Sequence, residues 1–227
     1  RLVTGVRVEG LSVTAGRAHG LRTTHGEVAS DAVVLAVNAW TPWLVPALTA
    51  NITPIREHVC VTEPLPPIMR AGFETNRCNE YWRQMRSGEI VVGGYAIADA
   101  GMGIGTYSMA TQPSIPPLLA DLLGRLFPST ADARIVRCWA GLLDFASLEL
   151  PAVGPLPAAD GGRIGRAYVA CGLTGHGMPY APVLGLLLAE TVAGRPATSL
   201  PLDPFDPARY VGPAFPPTWL EPFGVTA

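Results

Sequence analysis

A glycine-rich turn is the segment of this sequence best able to bind a ligand. Gly172, Gly175 and Gly177 follow the apolar run 167–171, and leucines at helical spacing come after them. Glycines let the backbone approach a ligand closely, and the free N–H groups of a first helical turn carry partial positive charge. The pattern therefore predicts a site for an anion or an electron-rich ring, while a purely structural glycine corner fits the same residues.

Two common nucleotide-binding patterns are excluded at this turn. Its spacing is G-x-x-G-x-G, whereas the dinucleotide fingerprint reads G-x-G-x-x-G and a phosphate loop also needs a lysine. All 16 basic residues of the chain are arginine. Because lysine is absent, Schiff-base and lysine-base chemistry is excluded throughout the sequence.

A second group of candidate residues lies on a predicted strand. Tyr81 and Arg83 occupy alternate positions and point to one face, whereas Trp82 points to the other face and is expected in the core. An arginine on such a face can pair with a substrate carboxylate, and a tyrosine can shape the pocket. An ordinary solvated strand fits these residues equally well, and the sequence leaves open whether Arg83 or Arg56 would hold a substrate.

Short elements of two kinds must position these residues. Residues 6–8 and 18–24 alternate apolar and polar side chains, as half-buried antiparallel strands do. Residues 32–37 are continuously apolar and rich in valine, which predicts a parallel strand covered on both faces. This strand ends at Asn38, and ligands of open α/β sheets bind beyond such carboxyl ends.

The middle of the chain predicts an antiparallel sheet that one helix covers. The expected strands are 57–63, 80–86, 89–94 and 133–139. The second and third are joined at Ser87-Gly88. Ser114 as a capping residue, early prolines and helical leucine spacing predict a helix that stops before Pro128.

The last part of the chain predicts a loop, a strand, a helix and a tail. The loop is marked by prolines 151, 155 and 157, and the strand at 167–171 leads through the glycine turn into the helix. The helix is expected to end near Gly194. The proline-rich tail after Pro201 is expected to pack as extended chain.

Composition limits the classes of function. Of the 227 residues, 48% are hydrophobic and 15% are charged, so the chain should fold, and a formal net charge of -2 provides no field for nucleic acid or an anionic membrane surface. No apolar run reaches the roughly 18 residues of a membrane-spanning helix. The 4 cysteines are widely spaced without a C-x-x-C pair, which argues against a disulfide framework or a metal site and favours a reducing cytoplasm.

Five segments carry a resemblance to a known family. In chain order they are DAVVLAVNAW (31–40), YWRQMRSGEIVVGG (81–94), WAGLLD (139–144), LPAVGP (150–155) and CGLTGHGMPYAP (171–182). Together they resemble the C-terminal part of the D-amino-acid-oxidase-like FAD-dependent oxidoreductases, the group that contains sarcosine oxidase, glycine oxidase and related amine dehydrogenases. The resemblance extends over about residues 20–210.

The resemblance implies a mixed α/β fold, in which the C-terminal part of a FAD-binding Rossmann-like domain carries an inserted antiparallel-sheet substrate domain. The implied divisions are 1–52 and 141–200 for the FAD-binding domain, 53–140 for the substrate domain and 201–227 for a tail. The family's N-terminal G-x-G-x-x-G unit, which holds the pyrophosphate of FAD, has no counterpart here. We therefore expect a fragment of a longer flavoenzyme, in preference to a chain completed by a partner subunit or a remnant unable to bind FAD.

The resemblance also implies roles for individual residues. The glycine turn would offer backbone N–H groups of residues 175–178 to the flavin N1 and C2 carbonyl, where negative charge builds up on reduction. The implied cofactor-binding residues are Asn38, Ala39, Trp40, Gly172, Thr174, Gly175, His176, Gly177 and Met178. The implied catalytic residues are Tyr81, Arg83 and His176, although the His176 side chain could equally serve structure.

The implied reaction is hydride transfer to the flavin from the carbon next to the nitrogen of an amine or N-substituted amino acid, such as sarcosine, proline or an opine. Leu143 stands where glycine oxidase relatives place a carboxylate-binding arginine, which favours the sarcosine oxidase and amine dehydrogenase branch, and Leu148 replaces a common aspartate. Cys138 is offset from the flavin-tethering position of that branch and is expected to be a buried thiol. The alternative is a non-catalytic subunit or degenerate domain of a heteromeric amine oxidoreductase, and the isolated chain is expected to be inactive.

Overall fold

The computed structural model describes residues 1–75, 80–198, 200–217 and 219–220. These residues fall into two compact units. One unit comprises Arg1–Thr53 and Asp144–Thr218, and the other comprises Pro54–Leu143 and Trp219–Ala227. We refer to them as the first and the second unit and describe each by itself.

The described residues form short strands and three α-helices. The strands are β1 (Val8–Thr14), β2 (Arg17–Thr23), β3 (Gly26–Ala29), β4 (Val33–Leu35), β5 (Ile52–Thr62), β6 (Phe73–Glu74), β7 (Tyr81–Gln84), β8 (Ile90–Gly93), β9 (Ile135–Ala146), β10 (Ala152–Pro157) and β11 (Arg163–Cys171). The helices are α1 (Thr41–Leu44), α2 (Ile115–Leu126) and α3 (Gly177–Val192). Among these residues, every helix is too short or too polar to cross a lipid bilayer.

A mixed sheet forms the centre of the first unit. Its strands follow the order β1-β2-β11-β10, with β3 paired to β2 and β4 paired to β11. The β1–β2 hairpin is antiparallel and β4 runs parallel to β11, as predicted for the first segments of the chain. The opening strand begins at Val8 rather than at Val6, and β3 was not predicted because all four of its residues are exposed and show no alternation.

Strand β4 is covered on one face only, which corrects the prediction of a strand covered on both. Val33 and Leu35 are buried, whereas the side chain of Val34 is 46% exposed. An unbroken apolar run does not mark which face is open, because no polar residue alternates with the valines. The apolar run therefore predicts the strand and its parallel pairing, but it does not predict that one face of the strand is exposed.

Prolines 155 and 157 lie in strand β10, so the predicted loop is wrong. β10 is the outer strand next to β11, and proline is tolerated at a sheet edge because the missing N–H removes no ladder bond there. The pairing with β11 shifts register between the two prolines, as at a bulge.

The tail after Pro201 is not simply extended, which corrects a further prediction. Two 3₁₀ turns, Asp203–Phe205 and Pro207–Tyr210, each carry a proline in the first turn, where its fixed φ suits a helix start. Tyr210 is fully buried, and its hydroxyl donates a hydrogen bond to the carbonyl oxygen of Leu150. This aromatic side chain is therefore one of the anchors of the tail.

The second unit contains a five-stranded sheet in the order β6-β7-β8-β5-β9. The pairs β6–β7, β7–β8 and β8–β5 are antiparallel, and a turn at Ser87-Gly88 joins β7 to β8 as predicted. β9 continues to Ala146, so residues 139–144 lie in a strand. The sequence pattern predicts an earlier strand end, at Trp139. Trp82 is buried against this sheet's core, as expected.

Helix α2 covers the core of this sheet and occupies the predicted span. Leu119 and Leu123 are buried against Ile90 and Val92. Ser114 precedes the helix but makes no capping hydrogen bond, contrary to expectation. A serine cap accepts from the second or third helical N–H, and these positions are Pro116 and Pro117, which have none.

Helix α3 has the span that the leucine spacing predicted, and Gly194 follows it in the left-handed conformation. Leu184, Leu187 and Leu188 are buried, and they pack with Val153 of β10. The neighbouring Leu186 is 47% exposed. Burial of one leucine side chain is worth about 1.5–3 kcal/mol, so this face attaches the helix to the sheet.

Replacing a buried leucine of α3 tests this attachment. We expect Leu187→Ala to lower the free energy of unfolding by about 2–5 kcal/mol, because the substitution leaves a cavity under the helix. Urea unfolding followed by circular dichroism measures the change. Leu186→Ala, one residue away and half exposed, is the matched control and should cost under about 1 kcal/mol; equal losses for the two variants would contradict the burial pattern.

Candidate functional site

The glycine turn leaves strand β11 through three left-handed residues. Gly172, Thr174 and Gly175 have φ values of 69°, 49° and 81°. Such values cost glycine little, but they are unusual for a β-branched residue such as threonine. The Thr174 hydroxyl fixes this conformation because it accepts the Ala146 N–H at 3.1 Å and donates to the Gly172 carbonyl oxygen at 3.2 Å.

Asp144 holds the same turn from inside the protein. Its buried carboxylate accepts hydrogen bonds from the N–H groups of Gly172 at 2.6 Å and Leu173 at 3.2 Å. The Asp144 carbonyl oxygen accepts the Thr174 N–H at 2.9 Å. Burial raises the pKa of this carboxyl, and the two backbone N–H groups oppose that rise. Sequence reasoning did not select Asp144, although it is a lone carboxylate within an apolar strand end.

Three backbone N–H groups at the start of α3 are available to a ligand. Within the described residues, the N–H groups of Gly175, Gly177 and Met178 have no hydrogen-bond partner. The His176 N–H instead donates to the Leu173 carbonyl oxygen at 2.9 Å. Met178 is 90% exposed, so the helix start faces outward. The turn therefore presents donors with the partial positive charge of a 16-residue helix behind them.

The His176 ring makes local contacts. Its Nδ1 lies 2.8 Å from the Thr174 carbonyl oxygen, which assigns the proton to Nδ1 because a carbonyl only accepts. The ring stacks near Tyr180 of α3, with centroids 5.9 Å apart. These contacts attach the side chain to the turn.

Residues 38–40 lie at the same sheet edge as the glycine turn. Leu35 of β4 pairs with Val169 of β11 in a parallel register, so the two strands end side by side. Beyond β4, Asn38 has a φ of 50°, and its carbonyl oxygen accepts the Thr41 hydroxyl at 2.8 Å. Thr41 also contacts the buried Cys171 thiol, whose pKa is raised by burial. The structure thus brings these two predicted segments together.

An apolar cavity of about 590 Å³ opens beside residues 38–40. Its wall includes Asn38, Trp40, Trp43, Val8 and Leu44. This volume lies within the range of about 300–1,000 Å³ typical of small-molecule pockets. Ala39 is buried behind the wall, and the glycine turn does not line this cavity.

Tyr81 and Arg83 lie on one face of β7 in the second unit, with Arg83 exposed and Tyr81 half-buried. The Tyr81 ring lies across Gly93 of β8, because a Cβ at Gly93 would stand 2.3 Å from the tyrosine hydroxyl oxygen. Burial and the charge of Glu57 raise the pKa of Tyr81. Arg56, the other arginine considered from the sequence, is buried in a two-bond pair with Asp99 at 2.8 and 2.6 Å, so it is not free to hold a substrate.

Glu57 is a buried carboxyl group that sequence reasoning missed. It follows Arg56 on β5, and within the described residues no cation pairs with it. Burial raises its pKa to about 7, and the charges of Asp99 and Glu80 add to that rise. The adjacent His58 N–H donates to it at 3.2 Å, which opposes the rise. A carboxyl buried without a cation is a candidate for a functional role.

Two glycine substitutions distinguish backbone strain from steric contact at the turn. We expect Gly175→Ala to cost about 1–2 kcal/mol in free energy of unfolding, because a left-handed alanine is strained but its Cβ meets nothing within 4 Å. Gly172→Ala adds contacts of 2.9 Å to the Ala146 Cβ and 3.0 Å to the Ile52 Cδ1. It should cost a further ~1–3 kcal/mol. Equal costs in urea unfolding would show that the close approach at Gly172 is unimportant.

The raised pKa of Glu57 predicts a pH-dependent stability. Its ordinary pKa of 4.5 lies below the folded value of about 7, so the folded state binds more protons between these pH values and stability falls as pH rises through them. Glu57→Gln should remove this fall and stabilise the protein at pH 8 by up to about 3 kcal/mol, at about 1.4 kcal/mol per pKa unit, with little change at pH 4.

Thermal unfolding at a series of pH values measures this effect. The exposed carboxylate of Glu9 supplies the control, since Glu9→Gln should leave the fall in melting temperature unchanged. If the melting temperature of Glu57→Gln falls with pH in parallel with that of the unmodified protein, Glu57 does not have the raised pKa.

The sequence and the fold are similar to those of known proteins. Residues 1–191 match the family model described as DAO, FAD dependent oxidoreductase. The chain is 29% identical to hydrogen cyanide synthase subunit HcnC of Pseudomonas protegens, over 92% of this chain and 46% of that protein. It is also 29% identical to sarcosine oxidase subunit beta of an Arthrobacter species, over 87% of this chain and 45% of that protein. The chain thus spans about half the length of these relatives.

Solved structures show the same fold. L-Proline dehydrogenase from P. horikoshii matches with a TM-score of 0.77 at 24% identity, over 90% of this chain and 54% of that chain. Glycine oxidase from Geobacillus kaustophilus also gives 0.77 at 24% identity, over 91% and 53% of the two chains. The predicted fold class and the resemblance seen in the sequence are both confirmed. The chain belongs to the DAO family of FAD-dependent oxidoreductases.

Proposed function

We propose that this chain is part of a flavoenzyme that oxidises an amine or an N-substituted amino acid at the carbon next to nitrogen. The observation that carries the proposal is the set of free N–H groups of Gly175, Gly177 and Met178 at the start of α3. FAD, when bound, supplies a two-electron acceptor that takes a hydride from the substrate.

The glycine turn suits an electron-accepting ring for electrostatic reasons. Backbone N–H groups at a helix N-terminus stabilise negative charge by about 0.3–1 kcal/mol at exposed sites and by more when partly buried. Asp144 and Thr174 hold the donors in place through bonds that a ligand need not supply. Because the donors are fixed in advance, little reorganisation is needed when charge develops. Gly172 and Thr174 therefore act by shaping the turn.

We assign residues 38–40 to the same cofactor site. Asn38 and Trp40 line the apolar cavity at the edge where β4 and β11 end, and Ala39 supports them from the core. Indole rings provide flat apolar surface against which a planar group can pack. The Nδ1–H of His176 donates to the Thr174 carbonyl oxygen, which holds the ring at the turn and leaves Nε2 as its acceptor nitrogen.

The proposed substrate-binding residues lie on one face of β7. Arg83 is exposed and, within the described residues, has no carboxylate partner, so it can pair with the carboxylate of an amino acid. Tyr81 lies beside it on the same face. No strong base is required if the amine binds deprotonated, because the residues then need only orient the C–H bond. The imine that forms is hydrolysed by water.

The names of the relatives support this class of substrate. They include sarcosine oxidase, glycine oxidase and, among solved structures, L-proline dehydrogenase. Leu143, rather than an arginine, favours a secondary amine such as sarcosine, proline or an opine. Two of the relatives are named as subunits, which favours a partner subunit and keeps a non-catalytic subunit as the second candidate function.

Anaerobic reduction tests the proposed reaction. The protein expressed from its complete reading frame and loaded with FAD should lose its visible flavin absorbance when sarcosine, proline or an opine is added. A flavin-loaded protein that no amine bleaches would favour the non-catalytic subunit.

Arg83→Gln then tests the substrate site. We expect it to raise KM for a carboxylated amine about tenfold, because a charge-assisted pair is worth about 1.5–3 kcal/mol. Arg86→Gln, an exposed arginine of the same hairpin, is the matched control and should change KM less than about twofold. The same KM for both variants would exclude Arg83 as the carboxylate-binding residue.

A further inference from the structure

Two cysteines lie side by side in the second unit. Cys60 is on β5 and Cys138 is on β9, the next strand of the sheet. Their sulfur atoms are 2.8 Å apart, although the residues are 78 positions apart in the sequence. The S–S bond of a disulfide is about 2.0 Å long, and neighbouring strands hold their Cα atoms within the range that disulfides bridge.

The two sulfurs differ in their access to solvent. Cys60 is 1% exposed and packs among Trp82, Ile90 and Val92, whereas Cys138 is half-buried at the margin of the same cluster. Burial, followed by the neighbouring Cys138, raises the pKa of the Cys60 thiol. Cys138 is therefore not the buried thiol expected from the sequence, and it is the sulfur that an oxidant in solution meets first.

The third cysteine among the described residues does not offer this arrangement. Cys171 is fully buried in the first unit and has the Thr41 hydroxyl as its neighbour. Cys78 lies outside the described residues. In the part of the chain that the structure describes, the pair is thus specific to β5 and β9.

We propose that Cys60 and Cys138 form a reversible thiol–disulfide site whose oxidant is a hydroperoxide. The Cys138 sulfur attacks one peroxide oxygen, the O–O bond breaks, and Cys138 sulfenic acid and water form from hydrogen peroxide. The Cys60 sulfur then attacks the Cys138 sulfur, the S–O bond breaks, and the hydroxyl leaves as water with the Cys60 proton. Two thiols lose two electrons and two protons in total, and one peroxide becomes two waters.

The bond would join the neighbouring strands β5 and β9. It would close a long loop, and such cross-links restrict the unfolded chain more than the folded one. Oxidation should therefore raise the melting temperature without changing the secondary structure. This inference does not depend on the proposed function, because it concerns only contacts within the second unit.

Controlled oxidation of the reduced protein tests the proposal. One equivalent of hydrogen peroxide should remove two of the free thiols counted after denaturation, and peptide mapping should identify a Cys60–Cys138 link that dithiothreitol reverses. Cys171→Ser should retain the loss of two thiols. Cys60→Ser should stop at a sulfenic acid on Cys138, which dimedone traps, and Cys138→Ser should keep the Cys60 thiol.

Other outcomes overturn the proposal. They are a disulfide that joins either residue to Cys78, a dimedone adduct on Cys138 in the unmodified protein without a cross-link, or four thiols that survive a tenfold excess of peroxide. Mapping of the unmodified protein alone distinguishes these outcomes, so the proposal remains testable if a serine variant fails to fold.

Discussion

The Asp144 carboxylate determines the shape of the proposed cofactor site. The carboxylate accepts the N–H groups of Gly172 and Leu173, and the backbone carbonyl oxygen of Asp144 accepts the N–H of Thr174. One residue thus satisfies three consecutive donors of the turn. A buried carboxylate is costly unless such donors surround it. The donors that Asp144 uses point inward, and those of Gly175, Gly177 and Met178 remain for a ligand. The division of donors between the core and the ligand is the physical basis of the site.

The glycines act together with this carboxylate. Gly172 is needed for its left-handed conformation and because its missing side chain admits Ala146 and Ile52. Thr174 adopts a conformation that its type disfavours, and its hydroxyl bonds offset the strain. Strain of this kind is typical of functional sites, where the backbone has to present groups to a ligand. The chain belongs to a family of FAD-dependent oxidoreductases, which supports FAD as the ligand proposed for this turn.

Local sequence patterns predicted much of the fold but little of the hydrogen bonding within the site. The spacing of leucines located α2 and α3, because helix periodicity depends only on nearby residues. Asp144 was missed because the two partners of its carboxylate are 28 and 29 residues away, and the buried Glu57 was missed because its environment comes from residues on other segments, Asp99 and Glu80. The prolines of β10 were misread because the pattern does not say which strand is at a sheet edge. Contacts between segments that are distant in the sequence cannot be predicted from local patterns.

Amide NMR of the protein from its complete reading frame, with and without FAD, tests the central claim most directly. The account predicts that the N–H signals of Gly175, Gly177 and Met178 shift and exchange with solvent at least about tenfold more slowly when FAD is bound, whereas the already bonded N–H groups of Gly172 and Leu173 change little. Unchanged exchange at all three exposed positions in a protein that holds FAD would contradict the account.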